Sequence, residues 1–448
     1  MQRRMFALTG LTCALVTGGV APAAGAVHHS PVPGHYSGTL ADGATWVADV
    51  PATWNGTLLL FSHGFGPTIA QDAPTADSAT ALLAQGYALA GSSYDPNGSW
   101  WALDSAETDQ FATLGAFAAT LAKPRRTIAV GESMGGLINS QLAQDGAGRI
   151  NGAVGFCGLV AGGVDLNDYQ LNAEYALTAL LPGGAGIQVR DFATPTDGTS
   201  AGDALTAVVT QAQATAAGRA RIALAAALLN ESDWAPGATP PAAGDYAAQE
   251  AQEYTWLTSG QLQFIELGRY FVSLSAGGDS GSNLGVDYAR LLHSSAYSTQ
   301  IRTLYQRAGL SLDADLRTLD SGENFAAEPG SLAAMQRSST NTGHLGVPLL
   351  DVHTTSDQLV PVEQENAFAA RVRAAGDSAL LRQAYVARQG HCNFTTAEFV
   401  TGVDTMARRV ATGHWAGTDP TALNATAAAL GLDGSSFTHY RPGRLVVQ

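Results

Sequence analysis

The sequence predicts an α/β protein with a mostly parallel sheet that carries helices on both faces. Short apolar runs such as residues 57–61 alternate with amphipathic stretches such as residues 106–121, as buried strands alternate with the helices that cover them. This alternation stops near Gly162 and resumes at Val347. A chain of 448 residues, 46% of them apolar, suits one large domain that carries an insertion.

The first part of the chain alternates regularly between strand and helix patterns. Residues 36–50 alternate in hydrophobicity and turn at Asp42-Gly43, which predicts a β-hairpin. The following elements are predicted in order: a strand at 57–61, a helix at 78–85, a strand at 87–91, a helix at 106–121, a strand at 127–130, a helix at 135–143 and a strand at 151–156. Strands and helices at this spacing favour a parallel sheet.

The middle of the chain is rich in alanine and glycine and shows little strand pattern. Its helical stretches include residues 204–217, 219–229, 247–257 and 288–307. Alternation returns with strands at 347–353 and 380–387 and helices at 362–374 and 397–410, and a helical patch follows at 421–430. The expected organisation is a core in two parts, residues 27–161 and 345–448 with the C-terminal tail, around a helical cap insertion at 162–344.

The N-terminal residues have the form of an export signal. Gln2-Arg3-Arg4 is cationic, residues 5–20 are mostly apolar, and Ala24-Gly25-Ala26 resembles a cleavage site. A signal peptide at residues 1–26, cut after Ala26, is favoured over a membrane anchor because the apolar run is short. The arginine pair also resembles a twin-arginine signal. The mature protein is therefore expected to be secreted, without stable membrane insertion.

The charge balance argues against two classes of partner. Asp and Glu number 38 against 23 Lys and Arg, a formal net charge of −15. Nucleic acids and anionic membranes repel such a surface. The sequence leaves the oligomeric state open.

A serine lies between a predicted strand and a predicted helix, in Gly131-Glu132-Ser133-Met134-Gly135. This is the G-x-S-x-G pattern in the structural context that the motif requires. Glycines two residues before and after Ser133 leave room for a backbone that reverses sharply. The pattern predicts a nucleophilic serine exposed at the carboxyl edge of the sheet.

A serine hydroxyl needs a base and an orienting acid, which follow it in the order acid, then histidine, in this type of fold. His391 follows the last predicted strand and Asp357 follows the strand before it, so both are expected at the edge that holds Ser133. Asp351 is an alternative acid inside the strand. His353 lies at the strand end, where it borders the site but precedes the turn.

Two backbone N–H groups are expected to stabilise a developing oxyanion. Met134 supplies one because it opens the helix after Ser133, and Phe65 supplies the other from the loop in Ser62-His63-Gly64-Phe65-Gly66. His63 is expected mainly to hold this loop. His63 and Tyr94 are also candidates for lining the pocket.

Of three cysteines, Cys13 leaves with the signal peptide and two remain. Cys157 closes a strand at the carboxyl edge, and Cys392 adjoins His391. In an oxidising location a disulfide between them is favoured over two buried thiols. The ten histidines are scattered, with only His28-His29 adjacent, so no metal site is expected.

These motifs resemble those of the α/β-hydrolase superfamily, particularly secreted bacterial serine esterases and lipase-like enzymes with a helical cap. The resemblance covers about residues 36–160 and 345–412 and extends to Val360-Pro361 after the acid. It implies Ser133 as nucleophile, His391 as base and Asp357 as orienting acid. It also implies Phe65 and Met134 as oxyanion donors. The insertion matches no cap that we can name.

Gly390-His391-Cys392 is also similar to the tannase and feruloyl esterase group, in which a cysteine beside the histidine is disulfide-bonded. That group has its second cysteine directly before the nucleophile. Glu132 occupies that position here, so the match is partial.

The expected function is hydrolysis of a small or polymeric carboxylic ester through an acyl-Ser133 intermediate, without a cofactor or metal. One alternative is a secreted peptidase or aminopeptidase with the same triad, in which Glu250, Glu253 or Glu266 of the insertion grips a substrate amine. Another is a binding protein on a hydrolase scaffold, which the filled triad positions disfavour.

Overall fold

The computed structural model describes residues 32–322, 325–432 and 434–448, so the predicted signal peptide lies outside the described residues. The strands are β1 (Gly34–Thr39), β2 (Thr45–Val50), β3 (Thr57–Ser62), β4 (Ala88–Ser92), β5 (Arg126–Glu132), β6 (Gly152–Phe156), β7 (Leu349–Ser356), β8 (Leu381–Gln389) and β9 (Phe437–Thr438).

The helices surround this sheet or lie between β6 and β7. They are α1 (Ala76–Ala84), α2 (Leu103–Thr120), α3 (Met134–Asp145), α4 (Gly163–Leu180), α5 (Pro195–Ala212), α6 (Ala216–Leu229), α7 (Tyr246–Trp256), α8 (Leu262–Ala276), α9 (Tyr288–Ser294), α10 (Ser298–Ala308), α11 (Leu312–Ser321), α12 (Pro329–Ser339), α13 (Glu363–Ala375), α14 (Thr396–Thr412) and α15 (Pro420–Ala429). A π-helical turn, Leu257–Gln261, joins α7 to α8.

The sheet has the strand order β1-β2-β4-β3-β5-β6-β7-β8-β9. Strands β4, β3, β5, β6, β7 and β8 run parallel, whereas β1, β2 and β9 pair antiparallel. The chain passes from β3 outward to β4 and then returns to the other side of β3 with β5. Ligands of open α/β sheets bind where the strand order reverses in this way. The predicted fold class is confirmed.

The central strands are apolar on both sides because each side meets helices. Ala129 and Ala153 belong to the core that includes residues of α3, whereas their neighbours Val130 and Val154 belong to the core that includes residues of α14. Successive side chains of a strand point to opposite faces, so a strand covered twice must be apolar throughout. This double burial fixes the carboxyl ends of β3, β5, β6, β7 and β8 along one edge.

The described residues between β6 and β7 are mainly helical, from α4 to α12, which supplies the helices of a cap. Two predicted helices are wrong in extent. The helix predicted at 204–217 begins at Pro195 and ends at Ala212 as α5, and residues 288–307 form α9 and α10 rather than one helix. Ser295 interrupts them with extended backbone (φ −74°, ψ 140°). Its Oγ accepts the N–H of Tyr297 at 3.2 Å, a local side-chain bond that competes with helix continuation.

Two further differences lie near the C-terminus. Strand β7 ends at Ser356, three residues beyond the predicted end at His353. Asp357 is therefore the first residue after the strand. The short strand β9 was not predicted, whereas the helical patch at 421–430 is confirmed as α15. Within the described ranges, no helix combines the length and the apolar character needed to cross a membrane.

Candidate active site

Ser133 occupies a sharp turn between β5 and α3. Its backbone has φ 58° and ψ −122°, in the left-handed half of φ that side chains other than glycine rarely adopt. Its N–H donates to the carbonyl of Phe156 on β6 at 2.9 Å, so the neighbouring strand fixes the turn. Strain of this kind costs about 1–3 kcal/mol and persists where the surroundings impose it.

The two flanking glycines are required by space. A Cβ on Gly131 would lie 2.6 Å from the carbonyl oxygen of Gly135 and 2.7 Å from that of Ser62, and a Cβ on Gly135 would overlap Ser62. Real Cβ atoms do not approach so closely, so only glycine lets β3, β5 and α3 meet here.

His391 follows β8 and reaches Ser133. Its Nε2 lies 2.8 Å from Ser133 Oγ, and its Nδ1 lies 2.8 Å from Asp357 Oδ2. An ionised carboxylate only accepts, so Nδ1 carries the proton and Nε2 accepts from the serine hydroxyl. The loop is anchored, since the N–H of His391 donates to Gln358 Oε1 at 3.1 Å.

Asp357 is fully buried and its carboxylate is held on both oxygens. Oδ1 accepts the N–H groups of Leu359 at 3.0 Å and Val360 at 2.9 Å, while Oδ2 faces His391. Burial raises the pKa of Asp357, but the neighbouring His391 and His353 outweigh burial and hold its pKa below the usual range. A permanently charged acceptor therefore orients the imidazole of His391.

His353 forms a second layer behind Asp357. Its Nε2 lies 2.9 Å from the carbonyl of Val360 and 3.6 Å from Asp357 Oδ2, and its Nδ1 lies 2.9 Å from Glu365 Oε1. Both ring nitrogens face acceptors, so both must donate and the ring is a cation. Burial lowers the pKa of His353, but the two carboxylates raise it to about 10.

The alternative acid, Asp351, is not the partner of His391, because Nδ1 of that ring bonds to Asp357. Both carboxyl oxygens of Asp351 are buried without a hydrogen-bond partner among the described residues. Burial, followed by the charge of Glu365, raises its pKa well above the ordinary value. A neutral, protonated carboxyl is the form that such a site favours.

Cys157 and Cys392 form a disulfide. Cys157 directly follows β6, its N–H donates to Val352 of β7 at 2.8 Å, and its Cα lies 5.3 Å from that of Cys392. The bond therefore joins the loop of His391 to the centre of the sheet. Gly390 adds a second tie, because its N–H donates to Ser356 at 2.7 Å.

The two expected oxyanion donors lie close to Ser133. Gly64, directly before Phe65, is near enough that a Cβ on it would lie 3.2 Å from Ser133 Cβ. Met134 is the first residue of α3, where N–H groups lack helical acceptors. Neither N–H of Phe65 and Met134 bonds to another group among the described residues.

His63 and Tyr94 support this loop from below and do not line the cavity as expected. Tyr94 is fully buried, its ring stacks on that of His63 with centroids 4.2 Å apart, and its hydroxyl donates to the His63 carbonyl at 3.2 Å. Burial lowers the pKa of His63, which favours a neutral ring. Tyr94 and His63 therefore hold the loop of Phe65. Their positions at strand ends did not indicate that they stack on each other.

A cavity that is partly open to solvent lies over Ser133 and His391. Phe65, Leu159, Leu359 and Val360 line it from loops at the carboxyl edge of the sheet. Helices α4 and α8 supply the opposite wall, which includes Phe264 and Arg269. A hydroxyl hydrogen-bonded to an imidazole thus faces a concave, largely apolar space that can hold a small molecule.

The model of the family described as "alpha/beta hydrolase fold" matches residues 89–375 of the chain. This match spans more than half of the sequence and includes the turn at Ser133 and the carboxylate of Asp357. The chain belongs to the alpha/beta hydrolase family. Hydrolysis is the reaction that this membership indicates.

A curated relative of this alpha/beta hydrolase is an o-phthalyl amidase of Xanthobacter agilis. The two are 28% identical over 441 residues, which cover 90% of this chain and 95% of the relative. The similarity therefore extends through the helical segment between β6 and β7 as well as the sheet.

Two solved structures illustrate more distant similarity. Feruloyl esterase B of Aspergillus oryzae is 12% identical, with a TM-score of 0.38, over 85% of this chain and 81% of its own. An acylaminoacyl peptidase of Pyrococcus horikoshii is 10% identical, with a TM-score of 0.34, over 82% of this chain. The chain spans 38% of the length of that peptidase.

Among the described residues of this alpha/beta hydrolase, one cluster has the residue types of a metal site: Cys157, His391 and Cys392. Its two sulfurs are joined to each other, and a disulfide sulfur is not the thiolate that binds metals. The cluster therefore belongs to the histidine loop and its tether.

Sequence reasoning missed the role of two residues at the site. The sequence analysis gives His353 no role beyond bordering the site, although a position four residues before Asp357 at a strand end is compatible with contact between the two side chains. Arg269 carried no usable signal, because its place on the cavity wall depends on how α8 packs over the sheet edge.

Proposed function

We propose that this protein is a secreted serine hydrolase that cleaves carboxylic esters through an acyl-Ser133 intermediate. Ser133 is the nucleophile, His391 the general base and Asp357 the orienting acid. The continuous chain of two 2.8 Å hydrogen bonds, from Ser133 through His391 to Asp357, supports this proposal most strongly.

In the first half of the proposed reaction, Ser133 Oγ attacks the substrate carbonyl carbon while His391 Nε2 takes the hydroxyl proton. The carbonyl oxygen becomes an oxyanion, which the N–H groups of Phe65 and Met134 stabilise. Collapse breaks the bond to the alcohol, which leaves with the proton from Nε2. In the second half, water takes the place of the alcohol and releases the acid and free Ser133.

Amide hydrolysis is the second candidate, because the relative that shares 28% identity over 95% of its length is named an amidase. The same steps apply, but protonation by His391 is more necessary for an amine than for an alcohol, because an unprotonated amine is the poorer leaving group. An aminopeptidase is less favoured. Glu250 and Glu253 bond to Gln213 and Gln300 and do not line the cavity, and Glu266 accepts from Arg269 rather than facing the cavity itself.

Residues 162–344 are proposed to act as the cap of the site. Gln261, in the π-helical turn, donates to the carbonyl of Gln358 at 2.5 Å, directly beside Asp357. The cap therefore touches the loop that carries the acid. The Cys157–Cys392 disulfide supports the proposal of secretion, since such bonds persist in oxidising locations.

The test is turnover of matched 4-nitrophenyl esters and 4-nitroanilides that share one acyl group. Ser133→Ala and His391→Ala should each lower kcat by about four to six orders of magnitude, because the triad acts as one unit. Wild-type protein should react with a fluorophosphonate and Ser133→Ala should not. His344→Ala, at an exposed histidine, is the matched control and should retain full activity.

Labelling of Ser133→Ala equal to wild type would contradict the proposed nucleophile. Hydrolysis of the anilide faster than the ester would instead favour the amidase.

A further inference from the structure

Polar groups lie on the cap side of the cavity above Ser133. The lining at the sheet edge is apolar apart from Ser133 and His391, whereas the cap adds Asn167 and Gln170 of α4 and Arg269 of α8 to its apolar side chains. Asn167 and Gln170 are three residues apart and so lie on one face of their helix. A substrate whose carbonyl reaches Ser133 therefore extends past apolar walls toward polar groups.

Arg269 is a buried cation on this wall. Apart from His391, it is the only ionisable side chain among the described residues that line the cavity. Glu266 accepts from its Nε at 3.1 Å, Asn167 accepts from Nη1 at 2.6 Å, and Glu174 accepts from Nη2. A guanidinium has five N–H groups, so these bonds leave one on Nη1 and one on Nη2.

The surrounding carboxyl groups leave the charge of this guanidinium able to attract an anionic ligand. Burial raises the pKa of Glu174 to about 7 and, together with the charge of Glu174, raises that of Glu266 well above its ordinary value. Burial thus favours the neutral form of both carboxyl groups over two full negative charges. The third nearby carboxyl group, Asp279, is paired with Arg190 at 3.1 Å.

A purely structural role explains this cluster poorly. A protein that buries an arginine with two carboxyl groups is seldom more stable than one that packs apolar residues of equal volume in their place. Gln170 adds a second observation, because its carboxamide lines the cavity, is partly buried and bonds to no other group among the described residues. Two polar groups from two helices thus remain available on one wall.

Aromatic rings form another part of the cavity wall. The ring of Phe65, beside the proposed oxyanion donor, contacts that of Phe264 edge to face with centroids 5.6 Å apart. Trp101 also lines the cavity. Such surfaces bind planar, apolar groups well.

Resting on the proposed function, we propose that Arg269, assisted by Gln170, determines acyl specificity, and that the cavity takes aryl acyl groups bearing a carboxylate away from the scissile carbonyl. The guanidinium is fixed before the substrate arrives, so a carboxylate gains charge-assisted hydrogen bonds without ordering a flexible side chain.

The experiment compares kcat/KM for 4-nitrophenyl esters of 3- and 4-carboxybenzoate with the esters of 3- and 4-methylbenzoate. We expect wild type to prefer a carboxylate ester at least about tenfold, the effect of one hydrogen bond to a charged group. Arg269→Gln should remove this preference while retaining hydrolysis of the methyl ester. Gln170→Leu, at a partly exposed position, should lower the preference without disturbing the ion cluster.

The matched control is Arg221→Gln, because Arg221 pairs with Asp315 in the cap outside the cavity. This variant should keep the wild-type preference. A wild-type ratio near or below one for both pairs, with both esters hydrolysed, would overturn the specificity proposal alone. Absence of hydrolysis of any ester would instead contradict the proposed function. An unchanged ratio in a folded Arg269→Gln variant would assign Arg269 to structure.

Discussion

At the scale of single residues, strained backbone concentrates around the proposed reaction centre. Among the described residues, the non-glycine residues with positive φ include Ser133, Tyr94, Cys157 and Cys392, all of which lie at the carboxyl edge of the sheet. Strain of about 1–3 kcal/mol at each such position is typical of sites that hold reactive groups in place. The sequence predicted the turn at Ser133 from its glycines, whereas the other three carried no such pattern.

His353 has a measurable role that differs from simple packing. It places a cation 3.6 Å from Asp357 Oδ2, and this cation helps to hold the pKa of Asp357 below its usual range. His353→Gln should therefore raise the pKa of Asp357 and weaken its hold on His391, with greater loss of activity at pH 5 than at pH 8. Steady-state kinetics across this pH range measure the effect.

Glu365→Gln provides the companion variant, since it removes the carboxylate that keeps His353 charged. It should lower activity at acid pH in the same way, because a neutral His353 no longer holds the pKa of Asp357 low. An equal loss of activity at every pH in both variants would show that His353 and Glu365 contribute through packing alone.

At the scale of elements, the loop of His391 depends on its neighbours for position. The disulfide joins it to the end of β6, and the N–H of Gly390 joins it to the end of β7. Sequence reasoning paired the cysteines because both follow strands at one edge. It could not find the contact of Gln261 with Gln358, since the approach of a cap to a loop has no local pattern.

Removal of the disulfide should lower the stability of the protein and its turnover rate, and should change substrate binding little. The bond closes 235 residues, and the chain-entropy model gives an upper estimate of about 5 kcal/mol for such a loop. We expect Cys157→Ser/Cys392→Ser to lower Tm and kcat with little change in KM, because His391 loses its tether. Calorimetry and kinetics check both effects.

Reductant should reproduce these losses in wild type and have no further effect on the double variant, which is the control. A reduced wild-type protein with two free thiols by mass and unaltered Tm and kcat would contradict a tethering role.

At the scale of the whole molecule, buried acidic side chains set the dependence of stability on pH. Burial, the largest cause, raises the pKa values of Glu250, Asp168 and Glu363 to about 7. Unfolded carboxyl groups lose their protons near pH 4, so the folded state holds more protons from there to about pH 7. Stability must therefore fall as pH rises through this window.

We expect the free energy of unfolding to be greater at pH 5 than at pH 8, as measured by urea denaturation at constant ionic strength. Glu250→Gln should flatten this dependence by up to about 1.4 kcal/mol per pH unit, because it removes one such proton. Asp203→Asn, at an exposed position, should leave the slope unchanged. Greater stability at pH 8 than at pH 5 would contradict this account.

The order of strands and helices in the core could be predicted from local pattern, because double burial makes each central strand a continuous apolar run. The meeting of Ser133, His391 and Asp357 could also be predicted, since each residue follows a strand and parallel strands end at one edge. The helical segment differs. Its helices pack on one another and on the sheet edge, so positions such as Arg269 depend on tertiary packing.

The distance along the chain between Ser133 and His391, 258 residues, has a consequence for biosynthesis. A ribosome delivers the serine first and the histidine only after the whole helical segment and β8 have been made. In the proposed mechanism, a nascent polypeptide therefore has a serine with no base to activate it. The producing cell would not be exposed to the hydrolase activity until the segment beyond β8 had left the ribosome and folded.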